Sequence, residues 1–128
     1  WMEVNEFSSP SFMAWMAAEA AYTHGGEWLD QMLGYLEENV AEVERFCREK
    51  LPAIRPIRPE ASFLVWLDCR RLGLSHDEIE KLFVEKARLA LNSGTMFGKG
   101  GEGFMRLNIG LPRRQLAEAL EKLRQALA

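Results

Sequence analysis

Between Glu27 and Lys50 no proline interrupts the chain, and Leu29, Met32, Leu33, Leu36, Val40, Val43 and Cys47 recur every three or four residues. That spacing places them on one stripe of a helix. At ~1.5 Å per residue the helix would run ~36 Å, long for a small domain. Pro52 ends it.

The segment before it has a different character. Phe12 to Tyr22 is apolar nearly all round, with Glu19 its only charge. Ser9 is the expected N-cap, Pro10 suits the first helical position, and Gly25-Gly26 stops the run. A helix of this kind is buried on every side. It is therefore either a central core helix or a piece of an interface with further polypeptide. The start at Trp1-Met2 favours an excised piece of a longer protein.

Downstream, Pro56 and Pro59 forbid a helix and favour an extended approach. Phe63 to Leu67 is a short apolar run that reads as a strand covered on both faces. Ser75 and Glu78 form the S-x-x-E capping box of a third helix, with Ile79, Leu82, Phe83 and Ala87 facing inward. A short strand is expected near Leu89 to Asn92. In Phe104 to Ile109 the residues alternate: Met105, Leu107 and Ile109 fall on one face, Phe104, Arg106 and Asn108 on the other. A last helix starts about Pro112 and aligns Leu116, Ala119, Leu120, Leu123 and Leu127. This order predicts an α/β (α+β) domain, a small mixed, largely antiparallel sheet packed against helices.

Composition excludes several functions. A net charge of -3 and a pI near 5.5 leave no basic footprint for nucleic acid. No apolar run is long enough to cross a bilayer. Cys47 and Cys69, with His24 and His76, have no metal-ligand spacing, so no metal is expected. The cysteines read as core thiols, and a reducing cytoplasm is the expected setting. Neither histidine has a partner in view. Trp15, Trp28 and Trp66 read as packing residues, and Arg70-Arg71 and Arg113-Arg114 as solvated pairs, with Arg113 close enough to a strand end to line a cleft.

Gly98, Gly100 and Gly103 spell G-x-G-x-x-G. A dinucleotide loop needs a helix directly behind its glycines to hold the phosphate. Here a strand pattern follows instead, so the glycines are expected to form a flexible connection with unusual backbone angles. Arg106 has two readings. A guanidinium held on a rigid strand suits two-point capture of a carboxylate. A solvated arginine on an edge strand fits the periodicity equally well.

Three stretches together decide more. SFMAWMAAEAAYTHGGEWLDQMLGYLEENV, PEASFLVWLDCRRLGL and ALNSGTMFGKGGEGFMRLNIGLPR resemble, in order and spacing, the C-terminal third of class I/II pyridoxal-phosphate aminotransferases. They are most similar to the cystathionine β-lyase-like carbon–sulfur lyases among them. The resemblance implies fold type I, with residues 27–128 as the small domain and residues 1–26 belonging to the large domain or a homodimer interface. It implies an amino-acid substrate, pyridoxal 5′-phosphate as cofactor, and Arg106 as the grip on the substrate's α-carboxylate. It also implies that the Schiff-base lysine and the phosphate-binding residues precede residue 1. None of Lys50, Lys81, Lys86, Lys99 and Lys122 lies in the family's lysine setting, so this piece alone is expected to have no catalytic residue and no activity. The alternative is a free-standing module that binds a partner through its helices.

Overall fold

The computed structural model describes residues 10–128. The chain divides into two compact units, one ending at Gly34 and one running from Tyr35 to Ala128.

The first unit contains α1 (Phe12–His24) and the start of α2 (Gly26–Lys50). Ser11 caps α1, its Oγ accepting the Ala14 N–H at 3.3 Å. The cap thus falls two residues after the expected Ser9, which lies outside the described residues. Pro10 precedes the cap instead of opening the helix. Gly25 closes α1, donating its N–H to the Ala21 carbonyl at 2.8 Å, and α2 starts at the next residue. No residue of α1 is buried: Phe12 is 75%, Trp15 64% and Tyr22 94% exposed. The core-helix reading is excluded. An apolar helix lies open to solvent in this chain, and Trp28 at the head of α2 is likewise exposed.

The second unit is built on a four-stranded sheet of order β1-β2-β4-β3, with every neighbouring pair antiparallel. Its strands are β1 (Arg55–Ile57), β2 (Leu64–Asp68), β3 (Asn92–Ser93) and β4 (Phe104–Asn108). β1 is the strand that the prolines concealed. Pro56 cannot donate to a ladder but is tolerated on a sheet edge, which is where β1 lies. α3 (His76–Lys81) opens on the expected capping box and loosens into a π-type turn over Leu82–Lys86. α4 (Arg113–Ala126) completes the unit.

Alternation along β2 and β4 sends Val65, Leu67, Met105 and Leu107 into one core, which Ile109 joins. Val40, Val43 and Cys47 of α2, Ile79 and Phe83 around α3, and Leu116, Leu120 and Leu123 of α4 enter the same core. All four residues expected to face inward from the third helix are buried. Leu64 and Trp66, on the opposite face of β2, are only half-buried, so that strand is covered fully on one face. Asn39 is a fully buried polar residue of α2. Its Nδ2 donates to the carbonyls of Ile109 at 3.0 Å and Leu111 at 3.1 Å, tying α2 to the exit of β4.

Candidate functional site

β4 lies between β2 and β3, so Arg106 stands mid-sheet and not on an edge strand. Register sets Trp66 of β2 on one side of it and Asn92 of β3 on the other. Arg106 Nη2 donates to Asn92 Oδ1 at 2.8 Å. The guanidinium carbon sits 4.3 Å from the centroid of the Phe97 ring, a cation–π distance. Trp66 meets Phe97 and Phe104 edge-on, at 5.4 and 6.0 Å between centroids. A cavity of about 310 Å³ opens among Ile57, Trp66, Phe97 and Phe104, floored by loop glycines.

Arg106 is therefore neither solvated nor sunk in the core. Its Nε–H is buried and has no acceptor among the described residues. Burying such a donor unpaired costs about 1–3 kcal/mol, so it is a group in want of an acceptor. The other half-buried arginines, Arg113 and Arg124, pair with Glu38 and Glu121. Among the described residues no carboxylate pairs with Arg106. A planar cation with its orientation fixed by an amide oxygen and an aromatic face, and with a donor to spare, is chemically suited to a carboxylate.

The glycine segment serves that arrangement. Gly94–Phe97 and Lys99–Gly101 form two successive 3₁₀ turns, so the connection is compact. A Cβ on Gly101 would overlap the Gly94 carbonyl, which is why the turns can close on each other. Gly98 and Gly103 take positive φ, of 123° and 79°, as the expectation of unusual angles required. β4 follows directly, and no helix receives a phosphate.

Asn92 and Phe97 are the partners that sequence reasoning missed. Asn108, the polar neighbour on the same face, instead accepts the Gly110 N–H at 2.8 Å and shapes the strand exit. Of the expected solvated pairs, Arg71 and Arg114 are exposed, whereas Arg70 and Arg113 are held by partners. Arg70 grips Asp68 through Nε at 2.9 Å and Nη2 at 2.7 Å and lies over the Phe104 ring. That side-chain pairing holds the Asp68 carboxyl below the usual carboxylate range, against burial. Arg113 donates its N–H to the Tyr35 hydroxyl at 2.6 Å, and Nη2 to Glu38 at 2.5 Å. His76, expected to have no partner, has several: Ser93, Thr95, Glu80 and the Gly103 N–H. Cys47 and Cys69 are buried as expected. Burial pushes their thiols up to about 11 and about 12, with nearby Asp68 and Cys47 adding to the shift at Cys69. Trp15 and Trp28 are exposed; Trp66 alone of the three is packed against other rings.

A pyridoxal-phosphate seat needs a lysine, an acid for the ring nitrogen and a phosphate cradle. All five lysines are exposed, four in or at the ends of helical elements and Lys99 within a 3₁₀ turn.

No family model matches the chain. Cystathionine beta-lyase PatB of Bacillus subtilis is 43% identical over 112 residues, 88% of this chain and 29% of that protein. Protein MalY of Escherichia coli is 34% identical over 120 residues, 94% of this chain and 31% of that protein. Among solved structures, cystalysin from Treponema denticola, which contains pyridoxal 5′-phosphate, superposes with a TM-score of 0.91 at 30% identity. The match covers 98% of this chain and 32% of cystalysin. The chain thus spans about a third of the length of the relatives it matches. In sequence, element order and antiparallel sheet it belongs to the fold type I pyridoxal-phosphate-dependent C–S lyases and aminotransferases, whose small domain it matches.

Proposed function

We propose that this chain is the substrate-gripping small domain of a pyridoxal-phosphate-dependent C–S lyase or aminotransferase acting on amino acids, and that Arg106 binds the α-carboxylate. The observation that carries the reading is the buried Nε–H of Arg106, which lacks an acceptor beside a neighbouring Nη2 already held by Asn92. Asn92 fixes the plane of the guanidinium, Phe97 shields one face of it, and the remaining donors meet the carboxylate. Holding the acid group on a rigid strand orients the substrate's Cα for proton removal.

The cofactor, when bound in the whole enzyme, supplies the electron sink for the carbanion formed there. One carboxylate grip serves both elimination and amino transfer, so Arg106 does not select between them. In this reading residues 27–128 form the small domain. Residues 1–26 seat against the large domain or a second subunit of a homodimer, which would cover the open apolar face of α1. The chain alone has no turnover.

Charge-assisted hydrogen bonds to the carboxylate contribute ~1.5–3 kcal/mol, roughly ten- to a hundredfold in affinity. Lysine keeps the charge but not the fork. In the intact enzyme, Arg106→Lys is expected to raise KM for L-cystathionine by at least tenfold. An unchanged KM in a folded variant would refute the assignment.

A further inference from the structure

His76 is the first residue of α3, and its side chain is only 14% exposed. Its ring contacts both ends of the glycine loop. On one side Nδ1 accepts the Gly103 N–H at 3.1 Å. On the other, Nε2 lies 2.6 Å from Ser93 Oγ, with Thr95 Oγ1 and Glu80 Oε1 both at 3.4 Å. A backbone N–H can only donate, so Nδ1 carries the lone pair and Nε2 the proton. Nε2–H then donates to Ser93 Oγ, which in turn lies 2.8 Å from Thr95 Oγ1.

The residues joined in this way lead straight to the arginine. Ser93 is adjacent to Asn92, the amide that holds Arg106. Gly103 immediately precedes β4, which carries Arg106 itself. The loop between them supplies Phe97, the ring under the guanidinium. β3 is two residues long, too short for its ladder alone to fix the spacing of these parts.

We propose that His76 is a positioning residue for the carboxylate grip: it pins both ends of the loop 94–103 to α3 and so sets Asn92, Phe97 and Arg106 at one separation. This rests on the role assigned to Arg106 above. A purely local role, bracing the start of α3, would affect stability and leave substrate affinity alone.

The two ring contacts can be separated. Asparagine presents its Oδ1 near the position of Nδ1 and can still accept from Gly103. Glutamine reaches the position of Nε2 but leaves the Gly103 N–H without its acceptor. In the intact enzyme with L-cystathionine as probe, His76→Gln is expected to raise KM about tenfold with kcat within about twofold. His76→Asn should recover most of that loss. Adding His76→Gln to Arg106→Lys should raise KM no further, because both changes remove the same grip. A folded His76→Gln enzyme with wild-type KM would overturn the inference, as would a lowered melting temperature with KM unchanged. Should His76→Gln not fold, Ser93→Ala tests the other contact, with a severalfold rise in KM expected and an unchanged KM contradicting it. If Arg106→Lys itself leaves KM unaltered, it is the assignment of Arg106 that fails. If Arg106→Lys raises KM while His76→Gln does not, only the positioning role fails.

Discussion

At the scale of single residues, several polar side chains of the second unit are committed to one another, and their commitments are testable. Asp68 is buried and held by Arg70, so its carboxyl titrates below the unfolded value. A depressed carboxylate stabilises the fold above the unfolded pKa, and that contribution is lost as pH falls through the folded pKa. Asp68→Asn is therefore expected to lower the melting temperature at neutral pH, with the gap to wild type closing as the solution is acidified below the carboxylate range. A gap constant with pH would show that Arg70 does not hold the charge. The thiols give a second check. With Cys47 raised to about 11, roughly one thiol in a thousand is ionised at pH 8, and fewer at Cys69. Both should react with a disulfide reagent only at the rate of unfolding, and rapid labelling of native protein would contradict their burial.

At the scale of elements, what could be read from the sequence was whatever a local pattern encodes. The second half of the α2 stripe, the alternation of β4 and the capping box at Ser75 are written in residues a few positions apart, and each stands where its pattern put it, whereas Leu29 and Leu33 in the first half of that stripe are exposed. β1 was not legible as a strand, because Pro56 reads as a strand breaker until the strand is known to lie at an edge. The surroundings of Arg106 were legible only in part. The face it occupies follows from alternation, but its partners do not. Asn92 is fourteen residues away and His76 meets Gly103 across twenty-seven, separations that carry no periodic signal. The glycine loop shows the same division. Its composition announced unusual backbone angles, but not that Gly94 and Gly101 press against each other. Gly101→Ala should force the two turns apart and, through Phe97, loosen Arg106. Expected is a KM increase of tenfold or more in the intact enzyme, accompanied by a lower melting temperature. A variant with both properties unchanged would mean the turns do not support the site.

At the scale of the molecule, one unit has a closed core and the other has an apolar helix with no buried residue. Exposed apolar surface of that kind drives association. The chain by itself is expected to self-associate in sedimentation experiments, and replacing Phe12 and Trp15 with serine should reduce the association without lowering the melting temperature of the second unit. A monodisperse monomer would contradict the proposal that residues 1–26 seat against further polypeptide. The central claim concerns the second unit, where a sheet holds one guanidinium with an unmatched donor. Its most direct test is a crystal structure of the intact enzyme with an amino acid bound. Expected is a substrate carboxylate oxygen within ~3 Å of Arg106 Nε, with the bond to Asn92 retained. A carboxylate bound elsewhere, with Arg106 Nε satisfied by a protein acidic group, would contradict it.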